Sequence, residues 1–444
     1  MKYSAILKDS MREALDSKVL YVLMVVSTVI VGFVATLSFK PLSAEKALGQ
    51  FFITPGQVPL TIFVNSHKPE KAHEFKGVKT LNTIGNFRLV NVEVARGEPD
   101  SPASDYALTI AHTVPAQVVG DRASQQAAAV KAAHEIFQEA EDFDYLRVGE
   151  ITLIDEGKQQ DEARHFRVTV HSTPKTLRIW PTEPSVMGFL PVGKLSAPLG
   201  FQLYVIAQLV LDLGAWVALL VGVVITSFFF PNMLRKGTVD LLLAKPLQRW
   251  ILVLYKYIGG LTFIFLNAVY AIGGIWLVLG IRTGVWPHGL LLVILTITFF
   301  FAILYAVSAF VAILTRSTVT SIMVTIIAWI AFFGIGTTEK VFHNRYLVEQ
   351  DAEKKGRPIP EDERWGDNQI AKVIYVIHAV TPRTSDLNQL NDLIVFTDFM
   401  TGNLADMTKF DSSNRNWWDP VLVSGAWIAI FLGLSAFWFS FKDY

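Results

Sequence analysis

Six long stretches of the chain contain no Asp, Glu, Lys or Arg, and they constrain the fold more than any other feature. Each is about 18 residues or longer, enough to cross a hydrocarbon core roughly 30 Å thick as a helix. Open strands would leave backbone groups unpaired in lipid. The sequence therefore predicts an all-α membrane protein with six transmembrane helices. The charge-free stretches are 19–39, 213–230, 257–281, 288–315, 317–338 and 421–441. The predicted helices share these bounds, except that the second extends back to 201 and the third to 251.

Composition agrees with this class and excludes several others. The 444 residues are 52% hydrophobic and 18% charged, and the formal net charge is zero. This balance argues against a nucleic-acid partner, which would favour a basic stripe. Without cysteine there can be no disulfide, thiolate metal site or Cys nucleophile. No nucleophile–base set or metal-ligand cluster emerges, so we expect no catalytic residues, no metal site and no cofactor.

Basic residues in the short flanks set the predicted orientation. The leader 1–18 and the link 231–250 each carry four Lys or Arg residues. The positive-inside rule places these segments, and hence both termini, in the cytoplasm. The long segments 40–200 and 339–420 then lie outside the cell. Within the leader, Leu7, Met11, Ala14 and Leu15 share one face, which predicts an amphipathic connecting helix along the inner membrane surface.

The outer segment 40–200 is long enough to form a domain inserted between transmembrane helices 1 and 2. Stretches rich in Val, Ile, Thr and aromatic residues predict strands, and an Ala-, Gln- and Glu-rich stretch predicts a helix. We therefore expect an extracytoplasmic α+β domain. Its predicted strands are 87–94, 106–114, 146–154 and 165–171, with the helix at 123–140.

The second outer segment, 339–420, is predicted to be a polar loop that contains one short helix. Residues 350–367 are nearly all charged, Gly or Pro, which favours a loop. Ile370, Val373, Ile374 and Ile377 follow helical spacing. We expect this short helix to pack on the outer membrane surface or to dip into it.

The cytoplasmic link 231–250 combines turn signals with an apolar stretch. Pro231 is predicted to close the second transmembrane helix. A short helix is expected at 239–244, stopped before Pro246 because the residue preceding a proline avoids helical angles. A leucine run at 241–243 is costly to leave in water. The link is therefore predicted to contact a partner, although an ordinary loop with stop-transfer charges is the alternative.

Several short motifs in and after the link resemble the hallmark of type-2 ABC (ABC-2) permeases. They are Gly237-Thr238, Asp240-Leu-Leu, Lys245-Pro246, Arg249 and Lys256-Tyr-Ile-Gly. Ile377-His-Ala-Val-Thr-Pro382 resembles the outer segment before that family's sixth span. The leader, six spans and long first outer loop are similar to its NosY-like branch. The resemblance covers about 1–39 and 201–444. It departs at Arg235-Lys236, where acidic residues are common.

This resemblance implies a permease subunit in a bacterial cytoplasmic (inner) membrane. A separate ATPase would hydrolyse ATP, and the link would act as its coupling helix. The permease would pair as a homodimer or with a related permease, and export is favoured over import. The residues that would contact the ATPase are Arg235, Lys236, Gly237, Thr238, Asp240, Leu241, Leu242, Lys245, Pro246 and Arg249.

Charged residues within the apolar runs are candidates for a substrate pathway. Asp212 interrupts the second run, whereas Lys256 enters the third from the inner side. Both lie near a membrane interface, where snorkelling to water is inexpensive, so a bystander role stays open. Two other function classes also stay open. One is a protein that moves its outer domain without transporting a substrate, and the less favoured is a membrane-bound hydrolase.

Overall fold

The fold is known here from a computed structural model, which describes most of the chain. Three predicted features lie outside the described residues: the leader helix 1–18, most of the outer helix 123–140, and link residues 235–247. The described residues are 19–49, 86–113, 131, 146–155, 164–192, 196–234, 248–354, 369–399 and 418–441.

Helices dominate the described part of the chain, and two small sheets lie between the first long helix and the next. The helices are α1 (Val19–Thr36), α2 (Ala44–Gly49), α3 (Thr176–Ile179), α4 (Leu199–Thr226), α5 (Phe229–Met233), α6 (Arg249–Thr283), α7 (Val293–Thr315, after the 3-10 turn His288–Leu292), α8 (Thr318–Lys354), α9 (Gln369–Val380), α10 (Thr384–Phe399) and α11 (Trp418–Phe441). The strands are β1 (Leu37–Pro41), β2 (Asn86–Arg96), β3 (Asp105–Thr113), β4 (Leu146–Asp155), β5 (Arg164–Ser172), β6 (Pro181–Val186), β7 (Leu190–Pro191) and β8 (Ala197–Pro198).

Within the described residues, four helical segments are long and apolar enough to cross a membrane. They are Arg249–Thr283, His288–Thr315, Thr318–His343 and Trp418–Phe441. These segments correspond to the third to sixth predicted spans. The first two predicted spans fall on α1 and α4, which carry shorter apolar stretches. Membrane crossing by α1 and α4 therefore stays a prediction.

The first two long helices end earlier than predicted. Helix α1 stops at Thr36 rather than 39, because Leu37–Pro41 pairs with β6 as an antiparallel strand. Helix α4 stops at Thr226, and the chain turns before starting α5. Pro231 therefore does not close the second span. It lies inside α5, near the helix start, where the missing N–H costs little.

Segment 339–420 is more helical than predicted. Helix α8 continues to Lys354, so the predicted loop at 350–367 begins at least five residues too early. Its polar part is rich in good helix formers, and helix formation does not stop where hydrophobicity does. A second helix, α10, follows α9. Thr384 and Asp386 just after Pro382 are a helix-start signal that indicated it.

Helix α7 is the centre of the helical bundle and packs on α4, α6, α8 and α11. Aromatic rings fill the space around it. Tyr257 of α6 stacks on Tyr305 with ring centroids 4.9 Å apart, and Phe230 of α5 lies 5.9 Å from the same ring. The Tyr257 hydroxyl donates a hydrogen bond to the Ala302 carbonyl at 2.7 Å. The packing therefore fixes α5 and α6 against the central helix.

The larger sheet is antiparallel, in the order β2-β3-β5-β4, and confirms all four predicted strands to within about two residues. Its inner face carries buried side chains such as Tyr106, Phe166 and Val168. At one end, the Asp105 carboxylate accepts hydrogen bonds from the Ser172 N–H at 3.0 Å and pairs with His171 at 3.1 Å. Burial acts to raise the pKa of Asp105, but these two partners outweigh it and lower the pKa below its ordinary value of 3.8.

The smaller sheet, β1-β6-β7 with β8 on β6, joins the larger sheet to the long helices. The Trp180 indole donates a hydrogen bond to the Leu42 carbonyl at 3.1 Å and stacks on Tyr106 of β3. On the other side, the Gln202 amide of α4 donates to the Thr182 carbonyl at 2.7 Å. The two sheets and the start of α4 are therefore held in direct contact.

Candidate functional site

The predicted coupling residues lie almost entirely outside the described residues. Among the residues expected to contact an ATPase, Arg249 is described, and the others fall between 235 and 246. Arg249 begins α6, and its guanidinium donates a hydrogen bond to the Ser440 carbonyl at 3.2 Å. Ser440 lies in the last turn of α11, where carbonyls lack helical partners and attract cations. Arg249 thus fixes the end of the link beside the end of the last helix.

The turn between α4 and α5, just before the link, is held by a buried group of hydroxyls. The Ser227 and Ser308 hydroxyl oxygens lie 2.9 Å apart, and the Ser308 hydroxyl lies 2.9 Å from that of Ser321. All three side chains are buried. The Ser227 hydroxyl also contacts the Val223 carbonyl at 2.6 Å. The turn after α4 is therefore hydrogen-bonded to α7, and through Ser308 to α8.

Lys256, which is predicted to enter the third span from the inner side, faces the protein rather than its surface. The side chain is buried, and its Nζ lies 5.8 Å from the centroid of the Phe229 ring. A cation over an aromatic face is stabilised by the ring quadrupole. Lys256 therefore connects α6 to α5, the helix that leads into the link.

A polar pocket of about 100 Å³ lies between α4, α7, α8 and α10. Pockets of mixed polarity between the helices of a bundle are common ligand sites. Its lining consists of hydroxyl, amide, carboxylate, lysine and large apolar side chains. These residues are Gln208, Leu211, Asp212, Trp216, Leu219, Thr296, Ile297, Phe300, Trp329, Phe333, Thr337, Lys340, Thr384, Ser385, Leu387, Asn388, Asn391 and Asp392.

Helix α10 supplies the polar wall of this pocket. Its lining side chains recur at one helical face, with spacings of three and four residues. They are Thr384, Ser385, Asn388, Asn391 and Asp392. The sequence interpretation missed this wall because it placed no helix here. The periodic polar residues after Pro382 are the signal that could have shown it.

Hydrogen bonds connect the polar wall to the neighbouring helices. The Gln208 amide of α4 donates to the Asp392 carboxylate at 2.5 Å, and the Thr296 hydroxyl of α7 donates to the Asn391 side chain. Asp212 lies one turn beyond Gln208 on the same face, with its side chain exposed. The predicted pathway residue therefore lies on the pocket, in the electrostatic range of Asp392.

The other end of the pocket is aromatic. The rings of Trp216 and Trp329 have centroids 4.4 Å apart, and the ring of Phe333 lies 5.1 Å from that of Trp216. A second, mostly apolar crevice between α4, α7 and α8 shares Leu219 and Trp329 with this end of the pocket. The pocket thus offers carboxylates, amides and the Lys340 ammonium at one end, and tilted or edge-on aromatic rings at the other. This combination can hold an amphipathic molecule with a hydrogen-bonding or cationic group.

Comparison with known proteins identifies the family of the chain. A family model described as ABC-2 family transporter protein matches residues 4–444. Comparisons with curated proteins and with solved structures gave no match. The family match spans nearly the whole sequence, including the long helices, the polar pocket and the link. The chain belongs to the ABC-2 family of transporter proteins.

Proposed function

We propose that this chain is the permease subunit of an ATP-driven exporter in a bacterial cytoplasmic membrane. ABC-2 family membership implies a membrane component that works with an ABC ATPase. In this proposal the ATPase is a separate subunit, ATP is hydrolysed there, and two permeases form a homodimer or a heterodimer. The NosY-like branch is the proposed placement within the family. Both termini and the link 231–250 face the cytoplasm.

The main structural support for this proposal is the pocket between α4, α7, α8 and α10. Following the predicted orientation, the Gln208 and Asp212 end of α4 lies in the outer half of the membrane. The aromatic end with Trp216 and Trp329 then lies near the middle. The pocket is therefore polar toward the outer membrane surface and closed by aromatic rings toward the cytoplasm. This arrangement suits release of a substrate to the outside. Asp212 is the proposed substrate contact, because an exposed carboxylate at the polar end attracts a cationic or donating group.

Movement of the link would reach this pocket through groups that the structure describes. Closure of the ATPases is proposed to press on the link and displace its two ends, α5 and the start of α6. Lys256 connects these helices, and the Ser227–Ser308–Ser321 hydroxyls connect the turn before α5 to α7 and α8. Helices α4, α7 and α8 all line the pocket. Displacement of the link would therefore change the pocket's opening.

Helix α9 is proposed to lie in the outer membrane interface. Its predicted apolar residues Ile370, Val373 and Ile377 are exposed in the single chain. Val376 and Val380 extend the same exposed surface. Apolar side chains of this density are poorly accommodated in water. Contact with lipid headgroups and upper acyl chains accounts for them.

A second candidate function, mechanical transmission to the outer sheets, is favoured by one observation. Two long helices are hydrogen-bonded directly to the small sheet. The Arg282 guanidinium of α6 donates to the Leu37 carbonyl of β1 at 3.0 Å. The N–H of Met187, which follows β6, donates to the Thr36 carbonyl at the end of α1 at 2.7 Å. Movement of α1 or α6 would therefore move β1 and β6. In this alternative, ATP hydrolysis moves the outer sheets and no molecule is transported.

One experiment distinguishes the two functions. The chain and its ATPase are placed in liposomes loaded with ATP and a fluorescent amphipathic cation, and ATP-driven release is measured beside movement of a second fluorophore attached at Glu93→Cys, an exposed position on the larger sheet. We expect Asp212→Asn to reduce release several-fold and leave the movement unchanged. Asp419→Asn, outside the pocket, is the control. Movement without any release in the unsubstituted chain would overturn export of this class and support mechanical transmission.

A further inference from the structure

Three buried side chains with metal-binding atoms meet where α8, α9 and α10 come together. They are Glu339 of α8, His378 of α9 and Asp386 of α10, each at most 7% exposed. One carboxylate oxygen of each acid and one ring nitrogen of the histidine all lie within 4.8 Å of one another. The group is separate from the pocket lining and has no part in the proposed transport path.

The helix packing brings these side chains together. Gly336 of α8 lies against Ser385 of α10 so closely that a Cβ at position 336 would overlap the Ser385 side chain. Glu339 follows Gly336 by about one helical turn, and Asp386 is the next residue after Ser385. His378 enters from α9, which is joined to α10 by a short turn at Pro382. The convergence is therefore built into the contact between the three helices.

The buried ring of His378 points to a ligand, because hydrogen bonds within the group do not satisfy its Nε2 atom. His378 is 6% exposed, and its Nε2 has no hydrogen-bond partner among the described residues. The nearest acid oxygen, Asp386 Oδ1, lies 3.9 Å away, beyond hydrogen-bond range. Leaving a buried polar atom without a partner costs about 1–3 kcal/mol. A ligand that bonds to Nε2 removes this cost.

The ligand atoms lie within 4.8 Å of one another, so they could surround a metal ion after the side chains move closer together. Two ligand atoms that each lie about 2.0–2.2 Å from a tetrahedral Zn²⁺ are separated by about 3.5 Å. The 3.9 Å between Nε2 and Oδ1 is slightly longer than this. One imidazole with two carboxylates suits a first-row transition ion, whereas Ca²⁺ and Mg²⁺ prefer oxygen ligands only.

We propose that Glu339, His378 and Asp386 bind a divalent transition-metal ion of the Zn²⁺ type. The ion would join α8, α9 and α10 through one ligand atom from each helix. Three protein ligands leave one position for water or another ligand. Because binding to the folded state stabilises it, the ion would also hold α9 against the bundle. The proposal does not depend on the direction of transport or on the identity of the ATPase.

The test measures Zn²⁺ binding to the full chain, purified without a histidine tag in detergent and dialysed against a chelator. We expect one tightly bound Zn²⁺ per chain and a higher unfolding temperature with Zn²⁺ than without it. His378→Gln should weaken the binding by at least about tenfold, since even residues outside the ligand set change metal affinity by that much. His171→Gln is the matched control, because His171 also lies beside a carboxylate, Asp105, at 3.1 Å.

A second variant keeps the test decisive if His378→Gln fails to fold. Glu339→Gln preserves size and should also lose both the bound Zn²⁺ and the Zn²⁺-dependent rise in unfolding temperature. Co²⁺ in place of Zn²⁺ should give a visible absorption band that the same variants lack. The proposal is overturned if the unsubstituted chain binds no Zn²⁺. It is also overturned if neither His378→Gln nor Glu339→Gln binds less than His171→Gln.

Discussion

The backbone of Gly260 in α6 lies against the buried ring of Tyr305 in α7, so closely that a Cβ at position 260 would stand 2.5 Å from the ring. Tyr305 is fully buried and stacks with Tyr257. The absence of a side chain at 260 thus lets α6 approach the central helix. Gly273, in the same helix, faces open space within 4 Å. The two glycines form a matched pair.

We expect Gly260→Ala to destabilise the protein by about 1–3 kcal/mol, because an added methyl must displace a packed ring. Gly273→Ala should be neutral or stabilising by up to about 1 kcal/mol, since alanine is the better helix former and meets nothing. Thermal unfolding of the two purified variants in detergent measures the difference. Equal unfolding temperatures would contradict the close packing of α6 on α7.

The predicted orientation can be tested by thiol labelling, because the natural chain contains no cysteine. Asn388→Cys, on the pocket side of α10, should react with a membrane-impermeant maleimide added to intact cells. Ser317→Cys, in the turn between α7 and α8, should react only after the membrane is opened. The reverse pattern would show that the polar end of the pocket faces the cytoplasm, and the export proposal would fail.

Asp105 should make the stability of the larger sheet depend on pH. Its folded pKa lies below the ordinary value of 3.8, so its contribution is fully present above about pH 4. The contribution is lost as the pH falls through the lower folded pKa. At neutral pH, Asp105→Asn should cost about 1 kcal/mol, because a neutral amide oxygen is a weaker hydrogen-bond acceptor than the carboxylate for the Ser172 N–H.

Hydrogen exchange of the β3 and β5 amides in the full chain measures this effect. Compared with the unsubstituted chain at each pH, Asp105→Asn should exchange faster at neutral pH, and the difference should shrink in acid. Glu93→Gln is the control on the same sheet. Its pair with Arg167 spans 3.0 Å, but both side chains are more than half exposed, so its loss should have little effect. A difference that grows in acid would contradict the lowered pKa.

The sequence indicates those parts of the fold that depend on local pattern. Charge-free runs locate the long helices because a bilayer demands uninterrupted apolar length. Alternating residues such as Leu108, Ile110 and Val168 locate the strands of the larger sheet because one face is buried. The ends of helices are harder to predict from the sequence. The run that includes Thr36 continues without a charge into β1, and only pairing with β6, far along the chain, ends the helix.

The candidate sites depend on contacts that no local pattern contains. Asp212 was identified because a charge in an apolar run is unusual, but its neighbours Lys340 and Asp392 come from other helices. The group of Glu339, His378 and Asp386 is spread over three helices, and its residues have no metal-ligand spacing in the sequence. Their proximity follows from the contact of α8 with α10, which depends on tertiary packing.

The central claim, that the link 231–250 couples this chain to an ATPase, is tested most directly by co-purification of the two proteins. The full chain should retain the ATPase through detergent extraction, and Asp240→Ala should retain much less of it while remaining inserted in the membrane. Asp419→Ala, at the opposite end of α11 from Ser440, is the control. Arg249→Ala is a weaker probe, because loss of its bond to Ser440 also disturbs the chain itself. Equal retention of the ATPase by Asp240→Ala and the unsubstituted chain would contradict the account.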